Sequence, residues 1–467
     1  MKTAAMSVWI FINLLCFGMC GYLYLIWSQY WMYIEKQRIL NKTPDGTQKT
    51  MPGITFQEAY VSNNIYSFNK LFNSTRPGLE RNRKSRRSAI NGFWSSNKAT
   101  EASLGSQVRP PANVVVKSNG SPRFPNIHKP LLEFDSEKFV CNDFLSAECA
   151  EQTAIFKQLL LKEFHRVLMG DSKVFKSGLQ SQNPYNVKYD SENRKELSRE
   201  DLLCALSKIQ VQTITTMDEP FKSLGFGIPR AGPQHGRLFD TCAVVTSAGA
   251  LLGSRLGEFI DSHDMVLRFN NAPTTNFTED VGSKTTVRVL NSQVVAKPEF
   301  KFLNDSLYKG ISILIWDPSS YASTLDEWYR HPDFPLFPVY KSLLEERPEA
   351  DVHLLNPKVL WELWKVLQDS SPYRLRKNPP SSGFIGIWYS LHRCRRVRVF
   401  EYVPSARASR RCHYHVARDD PGCTLGSWHP LAQEKTLAER IRDNSDLDVF
   451  QRGYIDVPGF YLPVFRT

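Results

Sequence analysis

CAVVTSAGALLGSRLG, from Cys242 to Gly257, and VLRFNNAPTTNFTEDVGSKTTVRVLNSQ, from Val266 to Gln293, are the two segments that decide the fold class. Both contain short runs of β-branched and aliphatic residues that end in polar or glycine-containing turns, which is typical of buried strands. The same pattern predicts strands at Cys242–Thr246, Met265–Phe269, Thr286–Leu290, Ile311–Ile315 and Val397–Tyr402. Helical spacing is found at Trp361–Gln368 and Gly383–His392. This alternation predicts an α/β fold with a mostly parallel central sheet flanked by helices.

The first segment places Ser247 and three glycines directly after a predicted strand. Small residues let backbone N–H groups approach a phosphate at a helix start, where the helix dipole also favours an anion. The pattern matches neither the dinucleotide fingerprint nor the P-loop. An ordinary tight turn between strand and helix is therefore an equal alternative.

In the second segment, two predicted strands end in amides, Asn270 and Asn291. Ligands of open α/β sheets bind beyond the carboxyl ends of strands, so these amides suit the hydroxyls and carbonyls of a nucleotide or sugar. The alternative is that both asparagines form turns.

A third segment, NPPSSGFIGIWYSL from Asn378 to Leu391, predicts a helix start. The prolines stop the preceding segment, Ser381 or Ser382 can cap the helix, and Gly383 opens it. The result is a second possible anion site at a helix N-terminus, with simple capping as the alternative.

The fourth segment, CHYHVARDDPGCTLGSWHPLAQEK from Cys412 to Lys435, contains a candidate general base. His429 precedes Pro430, a favoured first helical residue, and a positive helix end disfavours imidazolium and keeps the ring neutral. Nearby aromatic and imidazole side chains support a functional role: His413, Tyr414, His415 and Trp428. Cys412, His413, His415 and Cys423 suggest zinc as an alternative, but their spacing matches no common site.

Length and composition exclude several classes of protein. The chain has 467 residues, 42% of them hydrophobic and 23% charged, which excludes collagen-like and mainly disordered chains. The net charge of +12 favours acidic partners such as a nucleic acid, an anionic membrane or an anionic small substrate.

The N-terminal region predicts a membrane anchor. No charged side chain occurs from Thr3 to Ile34, and residues 8–27 are long and apolar enough to cross a bilayer after a short tail, 1–7. A cleaved signal peptide is the alternative, although no small-residue cleavage site is evident. Lys2 precedes the span while Lys36 and Arg38 follow it, so flanking charges do not fix the topology.

Beyond the span we expect a largely disordered stem, 28–150, and a catalytic domain, 151–467, with its core at about 200–467. Ala154–Leu168 has helical spacing, and the basic run Arg81–Arg87 is either a solvated linker or a site for anions or proteolysis. Five N-glycosylation motifs fit a lumenal body: Asn41, Asn73, Asn119, Asn276 and Asn304. Seven cysteines follow the span, so in an oxidising lumen some should pair and at least one lacks an intrachain partner.

In order, these four segments resemble the large, small, third and very-small sialyl motifs of the animal sialyltransferases. The similarity runs from about Cys204 to Gly459. The β-galactoside α-2,6-sialyltransferase branch is the most similar, through the stretches FNNAPTTNF, VGSKTTVR, LNSQ, WDPS, WELW, NPPSSG and HPLAQEK.

The resemblance implies a type II Golgi membrane protein with a GT-A-like, Rossmann-like lumenal domain. It implies metal-independent transfer of sialic acid from CMP-sialic acid to the 6-hydroxyl of terminal galactose on glycoprotein glycans, with inversion. His429 matches the general base. The donor side comprises Ser247, Asn270, Asn291, Ser381, Ser382 and Gly383, with His413 and Tyr414 for the leaving group; the acceptor side comprises Gln293, Asp333, Trp428 and Lys435.

The resemblance also implies disulfides that join Cys242 to Cys394 and Cys412 to Cys423. The branch usually pairs the cysteine matching Cys204 with one near its C-terminus, yet PGFYLPVFRT, residues 458–467, contains none. Cys204 is therefore expected to be free or to pair with Cys141 or Cys149. Trp428 stands where the branch usually has a tyrosine. The tryptophan ring can still stack on a sugar, but it lacks the tyrosine hydroxyl and the contact that this hydroxyl would make. Terminal N-acetylgalactosamine is therefore an alternative acceptor.

No cofactor or metal is expected. The one Asp-x-Asp triplet, Asp446–Asp448, comes late in the chain and is interpreted as a turn. A membrane-anchored glycan-binding protein of the same fold, without transfer activity, is the main alternative. An oxidoreductase and a nucleic-acid-binding protein are disfavoured, by the missing dinucleotide fingerprint and by the lumenal body respectively.

Overall fold

The computed structural model describes residues 132, 135–176, 183–189, 196–228, 237–419, 422–426 and 428–461. The predicted anchor at 8–27, most of the stem and three glycosylation motifs, at Asn41, Asn73 and Asn119, lie outside these residues. Within them, no helix has the length and apolar character that crossing a bilayer requires. The other two motif asparagines, Asn276 and Asn304, are exposed.

The core of the fold is one seven-stranded sheet with the order β5-β4-β3-β2-β1-β6-β7. The strands are β1 Phe239–Val245, β2 Met265–Phe269, β3 Val287–Asn291, β4 Ser312–Trp316, β5 Val352–Leu354, β6 Cys394–Phe400 and β7 Tyr454–Pro458. Strands β1 to β6 pair in parallel and β7 pairs antiparallel with β6. The predicted α/β fold with a mostly parallel sheet is confirmed.

Two strands have no counterpart in the sequence prediction. Strand β5 has three residues, too few to show a strand pattern. Strand β7 lies at the sheet edge and contains Asp456, whose carboxylate accepts from Nε of Arg398 at 2.7 Å and from Nη2 at 2.6 Å. Asp456 lies in the middle of β7, and a charged residue there interrupts the apolar pattern by which a strand is recognised in a sequence.

Helices cover both faces of the sheet. They are α1 Ser136–Phe139, α2 Ala147–Lys176, α3 Arg199–Ser207, α4 Gly257–Asp261, α5 Thr278–Val281, α6 Ser292–Ala296, α7 Leu325–Arg330, α8 Leu336–Glu346, α9 Lys358–Asp369, α10 Ser382–Leu391, α11 Gly422–Leu425 and α12 Leu431–Ile441. Short 3-10 turns lie at Gly249–Leu251, Pro298–Phe300 and Ser306–Tyr308, and a π-helical turn at Asp448–Arg452.

Helix α10 is the central helix of one face and contacts β1, β2, β3 and β6. Nearly all its residues are buried, which explains its almost continuous apolar sequence. A Cβ at Gly386 would lie 2.6 Å from the ring of Phe269, so glycine there lets the helix approach β2. This close approach brings the start of α10 to the carboxyl edge of the sheet.

Ordered structure begins before the predicted domain boundary at 150. Helix α1 covers Ser136–Phe139, and a disulfide joins Cys141 to Cys149 at the start of α2. The Phe139 ring packs edge-on against Phe156 at 5.4 Å, and Phe156 in turn contacts Phe450 at 6.2 Å. Helix α2 therefore extends beyond the predicted Ala154–Leu168 at both ends and belongs to the domain.

Two further disulfides join Cys242 to Cys394 and Cys412 to Cys423, the pairs that the resemblance implies. The first links the neighbouring strands β1 and β6, which are 152 residues apart in sequence. Cys204 is free and exposed, so of the alternatives left open for it the unpaired state is the one observed.

The glycines of the turn after β1 accommodate other parts of the chain. A Cβ at Gly249 would lie 2.3 Å from the carbonyl oxygen of Arg411, and one at Gly257 would lie 1.9 Å from that of Thr278. Both glycines therefore allow backbone segments to pack closely, as the tight-turn alternative requires.

We expect Gly257→Ala to destabilise the fold by about 1–3 kcal/mol, because the added methyl group overpacks a rigid backbone contact. Gly227→Ala is the matched control, since a Cβ at Gly227 would have no other atom within 4 Å. Urea unfolding of the purified chain measures both variants. Equal unfolding midpoints for the two variants would contradict the packing role of Gly257.

Candidate active site

A cavity of about 320 Å³ opens at the carboxyl edge of the sheet. Its walls come from the ends of β1 (Thr246–Ala250), β2 (Phe269 and Asn270) and β6 (Glu401 and Tyr402). The chain runs outward from β1 to β5 and then returns to β6 on the other side of β1. Ligands of open α/β sheets bind at such a reversal of strand order.

Most of the predicted site residues meet in this cavity, although they are spread over almost 190 positions of sequence. Those that line it are Ser247, Asn270, Asn291, Ser381, Ser382, Gly383, His413, Trp428, His429 and Lys435. Tyr414, Gln293 and Asp333 are not among the lining residues.

His429 lies immediately before Pro430, which occupies the N-cap position of helix α12, one residue before the helix begins at Leu431. Its Nδ1 lies 2.8 Å from the carbonyl oxygen of Pro379, which can only accept a hydrogen bond. Nδ1 therefore carries the proton of the neutral ring, and Nε2 carries the lone pair. The Trp428 ring packs edge-on against the imidazole at 4.4 Å and fixes its orientation further.

Burial lowers the pKa of His429 to about 4, against the opposing effect of the hydrogen bond to Pro379. The ring is thus neutral at the pH of most cellular compartments. A neutral imidazole with a defined tautomer can accept a proton from a hydroxyl group that approaches Nε2.

Asn270 and Asn291 both form turns, and both line the cavity. Oδ1 of Asn270 accepts from the Asn291 N–H at 3.1 Å, and Oδ1 of Asn291 caps α6 by accepting from the Val294 N–H at 3.1 Å. Asn270 adopts a left-handed conformation with φ of 46°. In the described part of the chain neither Nδ2 has a hydrogen bond, so each amide can donate to a ligand in the cavity.

The turn that contains Asn270 is held by a buried arginine. Nη1 of Arg288, on β3, donates to the carbonyl of Asn270 at 2.8 Å and to that of Ala272 at 3.0 Å. Burial lowers the pKa of Arg288 to about 10, so the guanidinium remains charged at neutral pH. A rigid turn keeps the Asn270 amide at the cavity wall.

The N-terminus of α10 faces the cavity through Ser381, Ser382 and Gly383. Ser381 is the N-cap, and its Oγ accepts from the Phe384 N–H at 3.2 Å. Oγ of Ser382 accepts from Nε1 of Trp316 at 2.9 Å. The helix does not use the N–H groups of its first turn, so those of Ser382 and Gly383 remain to bind an anion.

Glu434 is a buried carboxylate that the sequence analysis missed. It accepts from the Ser381 N–H at 2.9 Å, from Ser381 Oγ at 2.5 Å and from the Tyr402 hydroxyl at 2.6 Å. Burial raises its pKa, while these hydrogen bonds favour its charged form. In the sequence Glu434 resembles any other charged residue on a helix. Its position in the HPLAQEK motif is the one feature that could have indicated a role in the site.

Lys435 lies in the same group, with Nζ 5.6 Å from the centre of the Tyr402 ring. Burial lowers its pKa to about 8, and the neighbouring Glu434 and Glu401 oppose that shift. Since α12 brings Lys435 beside the N-terminus of α10, its ammonium adds positive charge to a wall that already favours anions.

The loop around Cys412 closes the cavity over the turn that follows β1. The Gly249 N–H donates to the Cys412 carbonyl at 3.1 Å, and Ala248 bridges to His413. Cys412 and Cys423 are bonded to each other, so the thiolates of the alternative zinc site are not available. His413 lines the cavity and stacks on His415 at 5.3 Å.

Tyr414 differs from the sequence expectation. It is buried behind the wall of the cavity, where its hydroxyl donates to the carbonyl of Pro273 at 2.6 Å. Its ring contacts Phe277 at 5.1 Å. Tyr414 therefore fixes the loop that follows β2 instead of presenting its hydroxyl to a ligand.

Of the predicted acceptor residues, Trp428 and Lys435 line the cavity, whereas Gln293 and Asp333 do not. Trp428 lines the cavity, and the Tyr185 ring lies edge-on to it at 6.3 Å. The Tyr185 hydroxyl donates to Oδ1 of Asp333 at 3.2 Å, so Asp333 is linked to this pair of rings. Gln293 lies in the first turn of α6, two residues after Asn291.

Other lining residues were also missed by the sequence analysis: Glu401, Tyr402, Arg411 and Thr424. Glu401 is buried and pairs with Arg407 at 2.7 Å. The Asp446–Asp448 triplet lies elsewhere, where Asp446 pairs with Lys157 and Arg442, and Asp448 with Arg452.

Comparison with known proteins gives one family match, glycosyltransferase family 29 (sialyltransferase), over residues 186–445. Among curated proteins, β-galactoside α-2,6-sialyltransferase 2 of Xenopus tropicalis is 46% identical over 277 residues, which are 58% of this chain and 53% of the relative. The human protein of the same name is 43% identical over 284 residues, which are 60% of this chain and 54% of the relative. The resemblance to this branch is confirmed. The chain spans about half the length of these relatives.

The crystal structure of a mammalian sialyltransferase in complex with Gal-beta-1-3GalNAc-ortho-nitrophenol is also similar to this chain. It is 19% identical, with a TM-score of 0.32, and the match covers 57% of this chain and 90% of that one.

We expect the His429 ring to stay neutral at pH 6, with the proton on Nδ1, and to titrate near pH 4. Nitrogen NMR of histidine-labelled protein measures both properties, and His429→Gln assigns the signal. Because only the unfolded chain takes up the proton between pH 6.5 and 4, this group also makes the fold less stable as the pH falls through that range. A signal that titrates near 6.5 would contradict the burial of the ring.

Proposed function

The chain belongs to glycosyltransferase family 29, the sialyltransferases, and we propose that it transfers sialic acid from CMP-sialic acid to the 6-hydroxyl of a terminal galactose or N-acetylgalactosamine. The acceptor class and the linkage follow the names of the relatives. The observation that carries the proposal is His429, a neutral imidazole of fixed tautomer in a cavity beside the unused N–H groups of a helix N-terminus.

The donor binds with its nucleotide towards the ends of β1, β2 and β3. The Nδ2 groups of Asn270 and Asn291 donate to the cytidine or its ribose. The N–H groups of Ser382 and Gly383 hold the phosphate, where the dipole of the ten-residue helix α10 favours its charge. Ser247 and His413, which also line the cavity, complete the donor side.

His429 acts as the general base. Nε2 accepts the proton of the acceptor hydroxyl as that oxygen forms a bond to the anomeric carbon of sialic acid. The bond between this carbon and the phosphate oxygen of CMP breaks, and CMP leaves with the electron pair. Attack from the face opposite to CMP inverts the configuration.

Negative charge that develops on the departing phosphate is stabilised by groups already in place. The N–H groups at the start of α10 and the ammonium of Lys435 lie on the same wall, and Lys435 with a pKa of about 8 is mostly protonated at neutral pH. Preorganised donors need no rearrangement during the reaction. We therefore propose that the reaction requires no metal ion.

The acceptor sugar stacks on Trp428, which lines the cavity beside His429. Gln293 and Asp333, which do not line the cavity, support the acceptor side from α6 and from the loop after α7. A tryptophan here offers an apolar face without a hydroxyl, which leaves terminal galactose and N-acetylgalactosamine both open as acceptors.

The proposed location is the Golgi membrane, with residues 8–27 as a type II anchor and the domain in the lumen. Three disulfides support an oxidising compartment. Asn276 and Asn304 are exposed and so are accessible to glycosylation.

We expect His429→Ala to reduce the transfer rate by about 10²–10⁴-fold, the usual contribution of a general base. CMP-sialic acid and a panel of terminal-galactose and terminal-N-acetylgalactosamine glycans are the substrates, and CMP release is the measurement. The donor KM should change little, because His429 does not hold the nucleotide.

His165→Ala is the matched control, since His165 is exposed on α2. Near-normal turnover by His429→Ala would exclude the base role. Acceptor binding by the wild-type chain without CMP release would favour the glycan-binding alternative.

We expect the transfer rate to be unchanged in EDTA, because the α10 N-terminus and Lys435 supply the positive charge that a divalent ion would otherwise provide. The same assay, with and without added manganese, measures this. Activity that EDTA abolishes and manganese restores would overturn metal independence.

A further inference from the structure

Asp317 is a fully buried aspartate directly after β4, at the same sheet edge as the cavity. Its Oδ2 accepts from Nε1 of Trp328 at 2.7 Å and from the Asp333 N–H at 3.0 Å. The Phe334 N–H also faces the carboxylate. Asp317 therefore holds the loop between α7 and α8 in which Asp333 lies.

No cation of the described chain compensates this charge. Oδ1 is buried without a hydrogen-bond partner of good geometry, although the nearby Ser292 hydroxyl favours the charged form. Burial raises the pKa of Asp317 to about 6. Such a group costs stability, so packing alone gives no reason for a carboxylate at this position.

The loop held by Asp317 continues into the cavity wall. Oδ1 of Asp333 accepts from the Tyr185 hydroxyl at 3.2 Å. The Tyr185 ring lies edge-on to Trp428 at 6.3 Å, and Trp428 packs on His429 at 4.4 Å. A continuous series of contacts thus runs from the buried carboxylate to the aromatic surface beside the proposed base.

A second series of contacts starts from the other side of the same carboxylate. Ser292, which faces Asp317, lies between Asn291, a lining residue, and Gln293. The start of α6 and the loop of Asp333 therefore meet at one buried group. They are the two segments that carry Gln293 and Asp333.

From these contacts we propose that Asp317 is a positioning residue for the acceptor, which sets the wall formed by Asp333, Tyr185 and Trp428. The inference rests on the proposed transfer reaction. Asp317 touches neither substrate. Its loss displaces the acceptor wall, whereas the donor side rests on α10, the ends of β1 and β2, and Asn291, which is held by its own bond from the Val294 N–H.

The test is steady-state transfer by the full chain carrying Asp317→Asn, with CMP-sialic acid and a terminal-galactose glycan varied in turn. The amide retains the size of the side chain but loses the charge and one acceptor oxygen, so it cannot accept from the groups of Trp328, Asp333, Phe334 and Ser292 together. We expect the acceptor KM to rise about tenfold, as for the loss of one buried hydrogen bond, with the donor KM unchanged. A merely structural role would change both KM values or neither.

Asp261→Asn is the matched control. Its carboxylate likewise holds a loop, by accepting from the Ser283 N–H at 2.7 Å and the Lys284 N–H at 3.0 Å, but at the opposite edge of the sheet. We expect this variant to lose stability without a change in the acceptor KM.

Tyr185→Phe removes only the hydroxyl that binds Asp333 and keeps the ring against Trp428. This variant should raise the acceptor KM a few-fold. If Asp317→Asn does not fold, the acceptor KM of Tyr185→Phe tests whether the contact between Asp333 and the wall determines acceptor binding. A folded Asp317→Asn with an unchanged acceptor KM, or an equal rise in Asp261→Asn, would overturn the inference. A wild-type chain that transfers no sialic acid would instead overturn the proposed function, and the inference with it.

Discussion

The geometry of the site depends on how two short segments, 378–381 and 428–434, are tied together. Nδ2 of Asn378 donates to the Trp428 carbonyl at 2.8 Å, and Nδ1 of His429 donates to the Pro379 carbonyl at 2.8 Å. The buried carboxylate of Glu434 completes the connection by accepting from the Ser381 N–H. The imidazole and the N-terminal end of α10 are therefore parts of one rigid unit. In the proposed reaction a base and a leaving-group site must act on one substrate, and such a connection keeps the two in a fixed relation.

Burial shifts the pKa values of three groups in this unit. It lowers the pKa of His429 to about 4 and that of Lys435 to about 8, and it raises the pKa of Glu434. Hydrogen bonds from Ser381 and Tyr402 favour the charged carboxylate, and the carboxylate in turn favours the charged Lys435. Near neutral pH the site therefore combines a neutral imidazole with a mostly protonated Lys435, whose charged form the nearby Glu434 favours. The same low-dielectric surroundings strengthen any hydrogen bond to a bound anion.

The sequence predicted those parts of the fold and site whose signals are local. The strands β1 to β4 and β6 have apolar runs of their own, and Ser381 and His429 each stand beside a proline that marks a helix start. Glu434 and Tyr402 escaped notice because their meaning comes from partners 53 and 32 positions away. The contact of the Tyr414 hydroxyl with the Pro273 carbonyl could not be predicted for the same reason, since it joins two loops. Most of the predicted site residues thus line one cavity, whereas the contacts of each side chain become visible in the fold.

Asn270 and Asn291 show why one residue can satisfy both a structural and a ligand-binding interpretation. Each side-chain oxygen is committed to the backbone, which fixes the amide plane, and each nitrogen is thereby aimed at a defined point in the cavity. Had the oxygen been free, the amide could rotate, and its donor would lose that rotational entropy at the moment of binding. The turn-forming contacts would therefore also prepare the two amides for the ligand-binding role that we propose for them. The same principle applies to Ser381, whose hydroxyl caps α10 and binds Glu434 so that the neighbouring N–H groups keep a fixed direction.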